Sequence, residues 1–315
     1  LLVSLFFLFV ASPSDAGERP HPLEGKIYLP GEGRLVSEDE ILRRMLRADI
    51  VYLGERHDNP GHHRLQARLL KALIRSGKRP AAAFEMFTND VAAKLAAHLD
   101  KSGADLAMIP EIVGWKKHGW PAWKMYAPIV EAAYRAGLPI VAADMARDIA
   151  RRIGMRGLSA LPVDIRERLD LGSPAPRHRA LVMADLFISH CKMVPRDKMG
   201  GLYDAWRARN RTMALSIREA IRKGAGGAVI ITGSGHAARE TGVPPHIEAL
   251  MQGARQFSLA FAEVEKGEES AAGYVDRPGA YDTLWFTSRH EREDPCEEFK
   301  VSLEKLRKRK MKGHP

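Results

Sequence analysis

The chain has 315 residues, 45% of them hydrophobic and 28% charged, which is enough to bury a real core as one large α/β domain with short trimmings. Its formal charge of +10 suggests an anionic partner, but Lys305, Arg307, Lys308, Arg309, Lys310 and Lys312 account for six of those charges, so the basicity is mostly a tail. No nucleic-acid motif is present, and the two cysteines exclude a cysteine-based metal site or a covalent CxxCH attachment.

The N-terminal LLVSLFFLFVASPSDA is a short apolar run followed by small residues, with Ser14 and Ala16 suiting the −3 and −1 positions of a cleavage site. It is too short to span a membrane. Residues 1–16 therefore read as a signal peptide whose start is missing, with a truncated membrane anchor as the alternative. The mature chain is expected in the periplasm or secreted. No cysteine follows the run, so no lipoprotein anchor is expected. Residues 17–45 read as an extended, Pro- and Gly-rich lead-in with a short strand at Lys26–Leu29. A helix follows, capped by Ser37, with Glu40 completing a capping box.

The stretch DIVYLGERHDNPGHH, Asp49–His63, organises the rest. Ile50–Leu53 form a buried strand that Gly54 ends, and Asn59 and Pro60 open a helix that Gly77 stops. The loop between them carries Glu55, His57, His62 and His63 at the carboxyl end of the strand, where open α/β sheets place ligands. Imidazole and carboxylate together suit a metal such as zinc or general acid/base work; they are equally consistent with loop residues that only satisfy the backbone.

RPAAAFEM, Arg79–Met86, is a second strand with Glu85 at its carboxyl end, beside Glu55 and His57 if the two strands are neighbours. An amphipathic helix at 89–101 precedes an aromatic stretch in which Trp115, Trp120 and Trp123 fall close together with His118 and Tyr126. That stretch is either a hydrophobic wall over the sheet or a lid on a flat aromatic ligand. LPIVAADM, Leu138–Met145, is a third strand with Asp144 near its end. Residues 146–190 read as mainly helical. The helix from about Leu202 to Lys223 has an inward stripe of Tyr203, Trp206, Asn210, Met213 and Ile217; a buried Asn210 needs a polar partner. GAVIITGSGH, Gly227–His236, is a fourth strand, and Phe257–Val264 and Tyr281–Thr287 are late strands at the sheet edge. The fold expected is a single α/β domain over 46–296, with a mainly parallel central sheet flanked by helices on both faces, late edge strands, and a basic tail at 297–315.

Two Gly-x-x-His sequences, 54–57 and 233–236, each follow an apolar strand, and a third strand ends in Glu85. A parallel sheet would bring all three together. GERHDNPGHH, FEMF at 84–87, GWPAWKMYAPIVEAA, LPIVAADM, YDAWRARNRTMA at 203–214, ITGSGHA at 231–237 and YDTLWFTSRHEREDPC at 281–296 follow one another as in the ChaN-type haem-binding uptake proteins of the TIKI and erythromycin-esterase-like superfamily, which the chain resembles.

The resemblance implies a haem-binding protein of the cell envelope linked to haem or iron uptake or storage, with a tyrosine as iron ligand. By motif position that residue is Tyr203, a hard oxygen donor for ferric haem; His57, His62, His118 and His178 are the other ligand candidates. Trp115, Trp120 and Trp206 offer apolar surface to a porphyrin, and Arg56, Arg207 or Arg211 could pair with its propionates. Trp206 departs from the family's pattern, where a glutamine is expected. The alternative is a metal-dependent hydrolase in which Glu55, His57, Glu85 and His236 hold a divalent metal such as zinc, with Glu55 and Glu85 as catalytic carboxylates. A homodimer closing over an open haem face, contact of the basic tail with an anionic membrane surface, and either one Cys191–Cys296 disulfide or two free thiols complete the expectations.

Overall fold

The computed structural model describes residues 20–294, 296, 297, 299–301 and 304. The expected signal peptide and the basic cluster at 305–312 lie outside the described residues. In chain order the elements are β1 (Ile27–Leu29), β2 (Arg34–Val36), α1 (Glu38–Arg47), β3 (Ile50–Glu55), α2 (Pro60–Arg75), β4 (Ala81–Thr88), α3 (Ala92–Leu99), α4 (Ile109–Ile112) and α5 (Ala127–Arg135). Then come β5 (Ile140–Asp144), α6 (Arg147–Arg156), α7 (Val163–Leu169), α8 (Pro176–Ser189), α9 (Gly200–Arg222), β6 (Ala228–Gly233), α10 (Ser234–Ala237), α11 (Pro244–Leu250), β7 (Gln256–Glu263) and β8 (Thr283–Thr287).

All eight strands form one sheet in the order β2-β1-β8-β7-β3-β6-β4-β5. The five strands from β7 to β5 and the β7–β8 pair run parallel, and the β1/β2 hairpin continues antiparallel beyond β8. The single α/β domain with a mainly parallel sheet agrees with the sequence, but the late strands β7 and β8 are not at the edge, which on that side is the β1/β2 hairpin paired onto β8. One neighbour relation differs as well: β6 lies between β3 and β4, so Glu85 borders the second Gly-x-x-His turn directly and the first only across a strand. Sequence order gave no sign of this, because β6 returns to the middle of the sheet from more than a hundred residues away.

Side-chain alternation along the central strands makes two cores. Val51 and Leu53 of β3, with Phe84 of β4, pack under α1, α2 and α5. Ile50 and Tyr52 face the opposite way, onto Met213 and Ile217 of α9 and Ile247 of α11. Local signals set the helix ends as expected: the Ser37 hydroxyl accepts from Glu40 N–H, and Asn59 accepts from Gly61 N–H ahead of Pro60. Cys191 and Cys296 form a disulfide, which joins the end of α8 to the C-terminal segment. Among the described residues no helix is long and apolar enough to cross a membrane.

Candidate functional site

The alternation that divides the cores also divides the site. Glu55 continues the Val51–Leu53 side of β3 and meets α2 and the start of α5. Glu85 is offset by one residue from Phe84 and meets α9 on the other face. The two carboxylates approach each other only where the strands end.

On the first side Glu55 is buried and accepts from the Tyr126 hydroxyl at 2.7 Å and from His57 Nδ1 at 2.8 Å through Oε1, while Oε2 lies 2.8 Å from His63 Nδ1. His63 Nε2 is 2.9 Å from the His57 carbonyl. Both nitrogens of His63 therefore face acceptors, the environment of an imidazolium. Burial pushes the Glu55 carboxyl up, but the His57 and His63 bonds outweigh it and bring its pKa to about 2. Burial likewise lowers His57 and His63, and the Glu55 carboxylate overrides it and raises both. With Nδ1 committed to Glu55, His57 directs Nε2 toward the end of β6: a Cβ on Gly233 would stand 3.1 Å from it. Glycine at that position leaves the imidazole its place. Glycine at the head of the first turn has a packing reason instead, since a Cβ on Gly54 would meet Ala237 Cβ at 2.9 Å and Ser234 Cα at 3.0 Å.

On the second side Glu85 accepts from Thr232 Oγ1 at 2.7 Å, Gly233 N–H at 2.8 Å and Arg209 Nη2 at 2.8 Å, and His236 Nε2 lies 3.4 Å away. Arg209 also donates to Asp144 Oδ2 through Nε (2.9 Å) and Nη2 (2.5 Å). Burial raises Glu85, but His236, His57, Arg209 and the Gly233 amide hold it well below the usual carboxylate range. His236 gives Nδ1 to Asn210 Oδ1 at 2.7 Å, and its ring is stacked on Trp206 with centroids 4.1 Å apart. Its burial outweighs Glu85 and drops its pKa to about 3.

Glu55, His57, Glu85 and His236 thus line one cavity of about 470 Å³, together with Arg56, Arg209, Trp206 and the apolar Val182 and Leu186 of α8. That volume is typical of small-molecule sites, ~300–1,000 Å³. Tyr203, His62, Arg207, Arg211, His118 and His178, all candidates from the sequence, do not line it. Tyr203 is fully buried under α8, with its hydroxyl 3.0 Å from His178 Nδ1; burial raises its pKa, though Arg207 and Arg179 oppose this. Arg207 is buried and donates to the Leu171 and Gly172 carbonyls. His62 accepts from Arg56 N–H and contacts Thr287 Oγ1, and burial lowers its pKa to about 4. Of the tryptophans, Trp120 stands beside His57 at 5.0 Å between centroids, whereas Trp115 and Trp123 pack on Phe87 as core.

Among the described residues no group of three or more His, Cys, Asp and Glu side chains has the geometry of a metal site. Both oxygens of Glu85 and Oε1 of Glu55 already accept from protein donors, whereas Glu55 Oε2 has only the His63 imidazole 2.8 Å away, outside hydrogen-bond geometry; as arranged, the set offers no three-ligand group for a zinc ion among the described residues. The functional residues the sequence reading missed are Arg209, Thr232 and the Glu55-bonding role of Tyr126. Arg209 had a signal: it lies one turn after Trp206, beside the stripe position Asn210.

A family model described as haem-binding uptake, Tiki superfamily, ChaN, matches residues 41–247. The chain belongs to that family. The matched span runs from α1 to α11 and contains every residue of the cavity. No curated protein sequence matches the chain. Among solved structures, one described as cofacial heme binding to ChaN of Campylobacter jejuni is similar, with a TM-score of 0.63 at 18% identity over 82% of this chain and 95% of that one. The type III effector HopBA1 aligns with a TM-score of 0.47 at 16% identity, over 86% of this chain and 95% of its own. An erythromycin esterase, EreC, aligns at 0.42 and 15% identity, over 89% of this chain and 86% of its own.

Proposed function

We propose that this protein binds haem in the cavity at the strand ends, and that it does so in the cell envelope as part of haem or iron uptake or storage. Family membership supports haem as the ligand. The observation that carries the site is His57 Nε2, held toward the cavity by the Glu55 bond and set between an apolar wall of Val182, Leu186 and Trp206 and the cations Arg56 and Arg209. A wall of that kind suits a porphyrin face, and the arginines suit its propionates. The Cys191–Cys296 disulfide supports an oxidising compartment, in keeping with the apolar N-terminal run.

The family resemblance points to Tyr203 as the iron ligand, and the geometry of the cavity points to His57. For its hydroxyl to reach a cavity-bound iron, α8 and His178 must move away; His57 needs no such movement. Haem titration followed by absorbance separates the two. A spectrum lost in Tyr203→Phe and kept in His57→Gln assigns the tyrosine, and the reverse assigns the histidine. A flat titration of the unaltered protein overturns haem binding. A second copy closing over the open haem face is the proposed oligomer, and sedimentation that stays monomeric with haem added would refute it.

The convergence of Glu55, His57, Glu85 and His236 favours a second reading, hydrolysis. His57 Nε2 would take the proton of a water attacking the ester carbonyl, Glu55 would hold the Nδ1–H tautomer, Arg209 would offer charge to the oxyanion, and His57 would return the proton to the leaving alcohol as the ester C–O bond breaks. Ester turnover abolished by His57→Gln would establish it, and no turnover by the unaltered protein would remove it.

A further inference from the structure

A second concave surface, of about 540 Å³, runs between α2 and the segment leading into α5, on the α2 side of the sheet. Its rim carries Arg64, Arg68, Lys71 and Arg75 from α2 and Lys124 from the facing wall. Among the described residues no acidic side chain lines it, and its floor is apolar, with Ala67, Met125 and Pro128.

The helix itself is unusual in charge. Its four exposed residues are Arg64, Arg68, Lys71 and Arg75, spaced four, three and four apart, and its sixteen residues contain no Asp or Glu. Like charges at those spacings destabilise a helix, and cations toward its N-terminal end oppose its dipole. Helix α1 mixes acids and bases on its exposed face, as α2 does not. Only Arg68 is offset, by Glu38 of α1; Arg64, Lys71, Arg75 and Lys124 have no anionic partner among the described residues. A row of unpaired cations over an apolar floor is an arrangement that an outside anion would complete.

We propose that this groove docks an extended acidic segment of a partner protein. From Arg64 to Arg75 the row is roughly 16 Å long. Alternate side chains of an extended chain repeat every ~6.6 Å, close to the ~6 Å rise of the two four-residue steps, Arg64–Arg68 and Lys71–Arg75, while the three-residue step between them rises ~4.5 Å and is spanned by the length of the side chains. Acidic residues at every second position would meet the cations while the intervening apolar ones rest on Met125 and Pro128. A planar anionic membrane cannot enter a concave groove. The site is separate from the strand-end cavity and does not depend on what that cavity binds.

The test uses the full chain and a fluorescein-labelled peptide of about ten residues alternating Asp and Leu, followed by anisotropy at low and at physiological salt. Saturable binding that weakens by at least about tenfold in the Arg64→Glu/Lys71→Glu double variant, while Arg151→Glu on α6 changes it less than about twofold, is the expected result. The double variant places an acid four residues ahead of Arg68, so its thermal midpoint should not fall; a maintained midpoint with lost binding excludes misfolding as the cause. Binding that is absent in the unaltered protein, or that drops equally in the α2 and α6 variants, overturns the proposal. So does binding to phosphatidylglycerol vesicles without binding to the peptide, which would assign the patch to a membrane surface.

Discussion

The two Gly-x-x-His turns have the same spacing and sit at the ends of adjacent parallel strands, yet they hold their histidines in opposite states. His57 is a third exposed, bonded to a carboxylate through Nδ1, and raised in pKa. His236 is buried against Trp206, bonded to a neutral amide through Nδ1, and lowered to about 3. Spacing put both imidazoles at the strand ends, but the partner of Nδ1 and the degree of burial decide the charge. One carboxylate, Glu85, lies between the two and is held ionised by His236, His57, Arg209 and the Gly233 amide together.

Arg209 is where the comparison breaks most easily. Arg209→Met leaves Glu85 and Asp144 buried without their shared cation, and loss of one partner of such a group costs ~3–5 kcal/mol. Urea denaturation should show a drop of that size. The same change should lift the pKa of His236 toward that of His57, because the arginine no longer opposes the pull of Glu85. Histidine NMR titration checks this; a His236 that still titrates near its original value would mean that burial alone fixes its state.

The pH dependence sharpens the contrast because the two signs differ. A histidine whose folded pKa lies below 6.5 stabilises fully above 6.5 and loses that contribution as pH falls toward the folded value. His236 follows that rule. At ~1.4 kcal/mol per tenfold change in proton affinity, its drop to about 3 amounts to a few kcal/mol. His57 is raised, so its contribution is complete below 6.5 and disappears as pH rises through its folded pKa. Denaturation from pH 8 to pH 4 should therefore show the stability difference between the unaltered protein and His236→Leu shrinking with acid, while the difference from His57→Leu grows. At pH 7 the first variant should also lose ~1–3 kcal/mol from the unpaired Asn210 oxygen. Parallel pH curves for the two variants would defeat the distinction.

Much of this was legible in the sequence, for physical reasons that differ by element. Asn59-Pro60, the Ser37 cap and Gly77 are local signals whose partners lie within a few residues, and the structure uses them at those positions, whereas the Glu40 carboxylate, expected to complete the capping box, turns to Arg34 and Arg44 instead. The strand-end placement of Glu55, His57, Glu85 and His236 was also readable, since a parallel sheet gathers its carboxyl ends whatever the strand order. What was not readable depended on that order and on helix rotation. The insertion of β6 between β3 and β4 decides which donors reach Glu85, and no residue of either strand encodes it alone. The predicted stripe placed Tyr203, Asn210 and Met213 inward correctly, but it could not show that α8 would close over Tyr203, because α8 has little contrast between its faces: Ile188 is exposed while Val182 and Leu186 are buried. Arg209 was passed over because an arginine beside an inward stripe usually reaches solvent. Here Glu85 and Asp144, from two neighbouring strands, draw it in.

The smallest expected effect tests the closest contact between the two turns. Gly233 precedes His236 by three residues but serves His57, whose Nε2 would stand 3.1 Å from an added Cβ, with Glu85 Oε2 at 3.6 Å. Gly233 lies in extended backbone that alanine also adopts, so Gly233→Ala should introduce no backbone strain. The only adjustment is a shift of a few tenths of an ångström by an imidazole that is a third exposed, and the stability change should stay below about 1 kcal/mol. The displaced nitrogen is the one that faces the cavity, however, so any ligand bound through His57 should weaken several-fold while the fold is unaffected. Haem titration or ester hydrolysis, whichever activity the protein shows, reads that shift. Unchanged binding in Gly233→Ala would mean that the cavity ligand does not engage His57 Nε2, and attention would pass to Tyr203 beneath α8.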